Sequence, residues 1–388
     1  MRKKFMKFAV VAMSVMMAFT MAGCGGGDSS DAPENSIKIG GIGPTTGPAA
    51  VYGTAVKNGA QLAVDEINAA GGDFGIELDF QDDENDAEKA VNAYNELKDW
   101  GMQMLLGTVT TNPCISVSAE TNNDRIFELT PSASSADVTK GKDNVFQLCF
   151  TDPNQGLTAA DIIMEKKLGT KIAAIYNNAD AYSTGIYNAF KAEVESKGGE
   201  IVYSGTFASD DNADFSAQLN GAKNAGADLV FLPIYYTPAS LILQQADSMG
   251  YEPTFFGCDG MDGILSLEGF DTALAEDVML MTPFNPWSED ENVSSFVSAY
   301  EDAYDETPNQ FAADAYDCVY AMYNAFTNAG LSVEDANDAI CDAMIGQFTG
   351  DFSYDGLTGS GMKWNDKGEV SKTPVVCVIK DGKYVDVK

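Results

Sequence analysis

Alternation of short apolar runs with helix-length amphipathic stretches is the feature that most constrains the fold of this chain. Strand-like runs rich in β-branched residues recur through the first 150 residues, and amphipathic segments at 53–70 and 87–100 lie between them. This strand–helix–strand rhythm is typical of a parallel sheet with helices packed on its faces. The series begins again near residue 171, so the sequence predicts two α/β lobes.

The predicted strands fall into two series with this same rhythm. The first series covers 37–42, 76–81, 104–107, 126–130 and 145–149. The second covers 171–176, 200–207, 228–234, 254–257 and 277–282. Three predicted helices, 292–304, 310–330 and 333–345, and two strands, 375–379 and 384–387, complete the chain.

Polar side chains cluster directly after several of these strands. Hydroxyl-rich loops at 108–112 and 130–135 follow two strands of the first series, and Asp259 follows the strand at 254–257. Open α/β sheets bind ligands at the carboxyl ends of their strands, where helix N-termini present free N–H groups. Two loops that are rich in hydroxyl donors and poor in charge predict a site for a small anionic group.

Two other motifs do not match the patterns of a dinucleotide site or a calcium site. The glycine-rich loop at 41–47 has the wrong spacing for a dinucleotide fingerprint, and Pro44 lacks the N–H that a phosphate would use. The acidic run at 82–86 fails the EF-hand pattern, because Ala87 and Ala93 stand where glycine and glutamate are needed. We therefore interpret them as a strand-to-helix turn and a helix-capping loop, and expect neither a cofactor nor a metal.

The N-terminus carries an export signal. Four basic residues precede a run of about sixteen mostly apolar residues, which is shorter than a spanning helix requires. The segment 21–24 resembles the lipobox of bacterial lipoproteins, in which Cys24 would become the diacylated N-terminus. We predict a signal peptide at 1–23, a flexible tether at 24–35 and an extracytoplasmic, lipid-anchored protein. An ordinary cleaved secretory signal is the alternative.

Charge and composition exclude several classes of function. The formal net charge is −35, so the clusters of Lys and Arg that nucleic acid binding needs are missing. The chain contains no histidine, which rules out Ser-His-Asp and Cys-His nucleophiles and histidine-ligated metals. Chemistry based on carboxylates or lysine stays open, but we expect a binding protein and not an enzyme.

Beyond Cys24, the cysteines show no metal-binding spacing. A chain of this size can build its core without disulfides, although an extracellular location permits them. We favour free, buried thiols for most of these residues. They are Cys114, Cys149, Cys258, Cys318, Cys341 and Cys377.

Several ordered motifs resemble the leucine/isoleucine/valine-binding protein family, the type I periplasmic solute-binding proteins of ABC importers. They are GPTTGPAAVYG at 43–53, AQLAVDEINAAGG at 60–72, the aspartate pair at 82–83, LTPSA at 129–133, DPNQG at 152–156 and YSTG at 182–185. The resemblance spans roughly residues 36–388. It implies two Rossmann-like lobes joined by three crossover strands, which close around one amino acid.

The resemblance also assigns polar site residues. Thr111 matches the family's serine for the ligand carboxylate, while Ser132 and Ser134 match a backbone contact and a threonine hydroxyl. Asp259 matches the glutamate that pairs with the ligand ammonium, and it is one methylene shorter. A zwitterion needs donors at one end and an anion at the other, so these assignments make chemical sense.

Aromatic residues would wall the pocket for the ligand's side chain. Tyr52, Tyr182 and Tyr236 match the family's aromatics, and Tyr235 replaces Tyr236 if the alignment slips by one residue. The family's first-lobe disulfide is absent, because Asn85 and Thr110 occupy its positions.

The resemblance implies a division of the chain and a set of partners. The first lobe would comprise 36–149 and 284–374, and the second 150–283 and 375–388. The expected protein is a monomer that captures a small amino acid, most simply a branched-chain or aliphatic one, and delivers it to an ABC permease. A ligand sensor that partners a receptor, or a pocket for an aromatic amino acid, an amide or a short peptide, are the alternatives.

Overall fold

The structure, a computed structural model, describes residues 33, 35–209 and 212–387. The predicted signal peptide and Cys24 lie outside the described residues, as does all of the tether except residues 33 and 35. Those expectations therefore stay predictions. Within the described residues, no helix combines the length and apolar composition that a membrane span requires.

The first lobe is built on a five-stranded parallel sheet with strand order β2-β1-β3-β4-β5. Its strands are β1 (Ser36–Gly43), β2 (Gly75–Asp82), β3 (Met104–Gly107), β4 (Phe127–Thr130) and β5 (Val145–Gln147). Its first four helices are α1 (Ala50–Ala70), α2 (Ala87–Trp100), α3 (Thr111–Asp124) and α4 (Ala136–Thr139). Every residue of β3 and β4 is buried, as expected for a parallel sheet covered on both faces.

The second lobe is built on a seven-stranded sheet with strand order β12-β11-β10-β9-β8-β6-β7. Its strands are β6 (Ile172–Asn177), β7 (Ile201–Phe207), β8 (Leu229–Leu232), β9 (Thr254–Gly257), β10 (Met279–Met281), β11 (Val376–Lys380) and β12 (Lys383–Asp386). Its helices are α5 (Asp152–Lys166), α6 (Ala181–Ser196), α7 (Ser216–Ala225) and α8 (Tyr236–Ser248). Short 3₁₀ turns follow β9.

Three further helices return to the first lobe. They are α9 (Glu291–Tyr304), α10 (Gln310–Asn328) and α11 (Asn337–Phe348). Helix α10 packs closely on α1, because Gly59 has no side chain: a Cβ there would lie 2.1 Å from the carbonyl oxygen of Ala312. Helix α11 packs against β4.

The described chain passes between the two sheets three times, after β5, after β10 and before β11. This connectivity produces the two-lobed type I architecture that the sequence predicts. The residue bounds given above for each lobe stay a prediction.

Local causes decide the form of three elements. Strands β11 and β12 are antiparallel to each other, since they are joined by a tight turn that contains Gly382 and is too short for a crossover helix. Strand β8 ends before Pro233, which has no N–H for the ladder. Helix α11 begins at Asn337 and not at residue 333, because Ser332 and Asp335 form a side-chain-bonded turn.

Candidate functional site

Hydrogen bonds join the two lobes where the carboxyl ends of their strands meet. The hydroxyl of Thr237 at the start of α8 donates to the carbonyl of Pro48, with an oxygen–oxygen distance of 2.6 Å. At the opposite side, the amide oxygen of Asn112 in α3 accepts from the N–H of Ala181 in α6 at 3.3 Å. Open α/β sheets bind ligands at the carboxyl ends of their strands, so the region between these contacts is the candidate site.

Asp259 lies at this junction, in the turn after β9, and is 4% exposed. Its Oδ1 accepts from the hydroxyl of Tyr182 at 2.8 Å, and that hydroxyl accepts from the N–H of Gly260 at 2.9 Å. Burial raises the pKa of Asp259 to about 6, against the opposing effects of Tyr182 and the Gln155 amide. The site therefore holds a carboxylate whose charge is only partly compensated.

A second buried carboxylate, Asp152, stands beside the first. Asp152 opens α5 and is 1% exposed, and its N–H donates to the carbonyl of Ser134 at 2.9 Å. Neither of its carboxylate oxygens has a hydrogen-bond partner among the described residues. Burial raises the pKa of Asp152 well above its usual value, and the Asp259 and Asp180 carboxylates raise it further. The Ser134 hydroxyl is near enough to lower this pKa, although its geometry is not that of a hydrogen bond.

In the hydroxyl-rich loops of the first lobe, some hydroxyl groups form hydrogen bonds and others have no partner among the described residues. Thr111 opens α3 and is 1% exposed, while Thr110 occupies the N-cap position without a capping bond from its hydroxyl. The hydroxyl of Ser132 donates to the carbonyl of Val109 at 2.6 Å and braces the two loops against each other. The hydroxyls of Thr110 and Ser134 are buried and have no partner within the described chain. Unpaired hydroxyls next to a helix N-terminus suit a carboxylate.

The predicted aromatic residues come together in one cluster. The Tyr52 ring meets the Tyr236 ring edge-on, with centroids 4.8 Å apart, and lies 4.3 Å from that of Phe311. Tyr235 stacks on Tyr182 at 5.1 Å and also meets Tyr52 edge-on at 5.4 Å. Tyr235 thus stands between the rings of Tyr182 and Tyr52, whereas the Tyr236 hydroxyl accepts from the N–H of Val51.

Two other sequence interpretations concern the loops beside the cleft. In the acidic run, Asp86 is the N-cap of α2 and accepts from the N–H groups of Glu88 and Lys89. Asp82 accepts from the N–H of Thr45 and the hydroxyl of Thr46 in the glycine-rich turn. The capping interpretation is confirmed, and in the described part of the chain no cluster of metal-ligating side chains forms.

The six cysteines of the described chain are buried, and none is bonded to another. Cys258, next to Asp259, is fully buried, and burial raises the pKa of its thiol well above the usual value. These thiols are therefore protonated packing groups.

Residues 36–383 match the sequence profile of the periplasmic binding protein family. The chain belongs to this family. It is 28% identical to the leucine-, isoleucine-, valine-, threonine-, and alanine-binding protein of Pseudomonas aeruginosa, over 83% of this chain and 83% of that one. It is 35% identical to Leu/Ile/Val-binding protein homolog 3 of Brucella melitensis over 58% of this chain, and that alignment spans 61% of the relative's length.

Solved structures show the same fold. The branched-chain amino acid transporter substrate binding protein LivJ of Streptococcus pneumoniae, in complex with isoleucine, aligns with a TM-score of 0.81 at 30% identity, covering 90% of this chain and 97% of that one. A solute binding protein of R. palustris in complex with benzoate also gives 0.81, at 20% identity over 91% and 95% of the chains, and this likeness shows the fold alone.

These comparisons confirm the resemblance to the leucine/isoleucine/valine-binding periplasmic proteins. Proteins of this family bind solutes and are not enzymes, and the family is extracytoplasmic. The sequence predicted each of these statements.

Sequence reasoning gave no role to three residues that the structure places beside Asp259: Asp152, Gln155 and Gln310. Asp152 and Gln155 lie within the DPNQG motif, and an aspartate at the first position of a helix directly after a crossover was the available signal. Gln310 follows a loop and has no such signal. Its side chain reaches Asp259 only through the approach of the two lobes.

Proposed function

We propose that this protein captures one α-amino acid by closing its two lobes around it. The proposal rests on one arrangement: two buried carboxylates, Asp152 and Asp259, and the Ser134 hydroxyl of the facing lobe, which has no hydrogen-bond partner among the described residues. A buried carboxylate is costly unless a cation or hydrogen-bond donors compensate it. A ligand ammonium supplies that compensation, and its carboxylate takes the free hydroxyl.

The proposed roles follow the chemistry of the two ends of a zwitterion. Thr111 and Ser134 donate to the ligand carboxylate, together with N–H groups at the start of α3. The backbone of Ser132 contributes a contact, since its hydroxyl is occupied by Val109. Asp259 accepts from the ammonium, and Asp152 is a second acceptor. Because the donors and acceptors belong to different lobes, the ligand favours the closed state through its contacts with both.

The aromatic cluster forms the walls of the side-chain pocket. Tyr52, Tyr182 and Tyr236 contribute to it, with the Tyr235 ring between the first two. An apolar wall of this kind fits a branched-chain or aliphatic side chain, and the LivJ structure with isoleucine supports this choice. A benzoate-like ligand fits poorly, because an anion without an ammonium would face two buried carboxylates.

We further propose that the captured amino acid passes to an ABC permease and that the protein is anchored by a lipid on Cys24. The names of the relatives support the first point, and the lipobox-like segment supports the second. Substitution Cys24→Ser tests the anchor. Mass spectrometry of membrane-extracted protein should find a diacylated N-terminus only with the cysteine present.

The experiment for the binding site is calorimetric titration with leucine, isoleucine and valine. Asp259→Asn should lower the affinity by on the order of 2–5 kcal/mol, and Asp152→Asn should also weaken binding. The exposed Asp351, changed to Asn, is the matched control and should leave affinity unchanged. Unaltered affinity in both cleft variants would remove these carboxylates from the site.

A further inference from the structure

Asn112 bridges the two lobes through both ends of its side-chain amide. Its Oδ1 accepts from the N–H of Ala181 at 3.3 Å, and its Nδ2 donates to the carbonyl of Ala179 at 3.5 Å. Asn112 belongs to α3 of the first lobe, whereas both partners are backbone groups at the start of α6 in the second lobe. Because the N–H requires an acceptor and the carbonyl requires a donor, these contacts fix the orientation of the amide.

The bridge supplies part of the N-terminal cap of α6 from the opposite lobe. Ala181 is the first residue of α6, so its N–H has no partner within that helix. The N-cap residue of α6, Asp180, accepts from the N–H of Tyr182. Asn112 therefore caps α6 only while the two lobes are close together, and water takes its place when they separate.

The bridge lies at the outer edge of the candidate site. Asn112 and Ala179 are exposed to solvent, whereas Asp259 is buried. Asn112, Ala179 and Tyr235 all line one cavity of about 170 Å³ between the lobes. The Tyr235 ring stacks on that of Tyr182, whose hydroxyl donates to Asp259. The cavity therefore leads from the exposed bridge to the aromatic pair beside the buried carboxylate.

We propose that Asn112 is a gate residue, which slows the release of the bound amino acid by holding the lobes together at this edge. The side chain bonds to protein backbone, so it acts equally on every ligand that the site holds. A ligand enters the open protein, in which the bridge is not formed, and therefore Asn112 affects dissociation and not association. This inference rests on the proposed amino-acid function and concerns the release of ligand from the same site.

The test is stopped-flow kinetics of leucine, isoleucine and valine with the purified protein. Asn112→Ala should raise the dissociation rate of all three by the same factor, about tenfold for the loss of two hydrogen bonds, and leave the association rates unchanged. Asn220→Ala is the matched control, because Asn220 is also exposed on a helix but its amide donates to Ser216 of the same helix, α7. The control should leave both rates unchanged.

Three outcomes would contradict the gate in different ways. An unaltered dissociation rate in Asn112→Ala would overturn the gate and leave the amino-acid function standing. A change that differs among the three ligands would also overturn it, because the side chain would then act on the ligand itself. Failure of the wild-type protein to bind any of these amino acids would overturn both proposals.

Discussion

Tyr52 of the first lobe and Tyr236 of the second lobe are joined by a hydrogen bond and by contact between their rings. The Tyr52 hydroxyl donates to the carbonyl of Gly260 and accepts from the N–H of Tyr236 at 3.2 Å, while the Tyr236 hydroxyl accepts from the N–H of Val51 at 3.1 Å. Their rings are perpendicular. None of these bonds needs a ligand, so this pair contributes to closure through contacts between protein groups alone.

Tyr236→Phe should therefore weaken ligand binding by shifting the protein toward the open state. The variant leaves the N–H of Val51 without an acceptor when the lobes close, whereas water satisfies it when they open. A penalty of about 1–3 kcal/mol on closure lowers the apparent affinity about tenfold, mainly through faster dissociation. Stopped-flow kinetics and small-angle scattering of the ligand-free protein measure both effects.

Tyr187→Phe is the control for that variant, because the Tyr187 hydroxyl bonds to Ser204 inside the second lobe. It should leave both the dissociation rate and the scattering profile unchanged. Identical behaviour of the two variants would show that the Tyr236 hydroxyl has no role in closure.

Ligand affinity should depend on pH through Asp259 and Asp152. Burial raises the pKa of both carboxyl groups, to about 6 for Asp259. A ligand ammonium favours the ionised forms, so binding releases protons and affinity rises with pH through this range. Calorimetry from about pH 5 to about pH 8 in buffers of different ionisation enthalpy counts the released protons. Asp259→Asn should flatten the profile, and a flat wild-type profile would contradict the assignment.

Glu128 should make the fold less stable as pH rises. It is fully buried in β4, accepts from Thr121 and Cys114, and has a pKa raised by burial from 4.5 to about 7. Between pH 4.5 and about pH 7, the Glu128 carboxyl keeps its proton in the folded state but has lost it in the unfolded state. The stabilising effect of the protonated Glu128 is therefore complete below pH 4.5 and is lost as the pH rises through about 7. Glu128→Gln should raise stability at about pH 8 by on the order of 1–3 kcal/mol.

Urea unfolding at several pH values measures this effect. The exposed Glu200, changed to Gln, is the control and should leave the curves unaltered. A Glu128→Gln protein with the same loss of stability between acid and neutral pH as the wild type would assign that loss to other groups.

Lys372 lies in the segment between α11 and β11, and we expect it to be essential for packing that segment on α10. Its Nζ lies 2.9 Å from Asp314 and 2.7 Å from the hydroxyl of Thr358, and both charged side chains are almost fully buried. Lys372→Met leaves a buried carboxylate without its cation and should cost about 3–5 kcal/mol. The double variant with Asp314→Leu should recover most of that loss in denaturant unfolding. If the double variant were no more stable than the single one, the cost would not arise from the stranded charge.

The sequence was sufficient for the order of strands and helices because both follow local patterns. Strands β3 and β9 and helix α2 have the bounds that their apolar runs and flanking residues predict. Where β8 ended before its predicted bound, the cause was also local, because Pro233 has no N–H for the ladder.

The cleft depends on relations that sequence patterns do not contain. Tyr52 and Tyr236 are separated by 184 positions, and the Tyr52 hydroxyl meets the N–H of Tyr236 only because the carboxyl ends of two sheets face each other. The same approach places the Gln310 amide on the carbonyl of Asp259. The sequence by itself determined the two α/β lobes and the residue types near the site, since these follow from periodicity and loop composition. Only the tertiary structure decided which polar groups satisfy one another, because hydrogen bonding depends on distance and direction between atoms of separate elements.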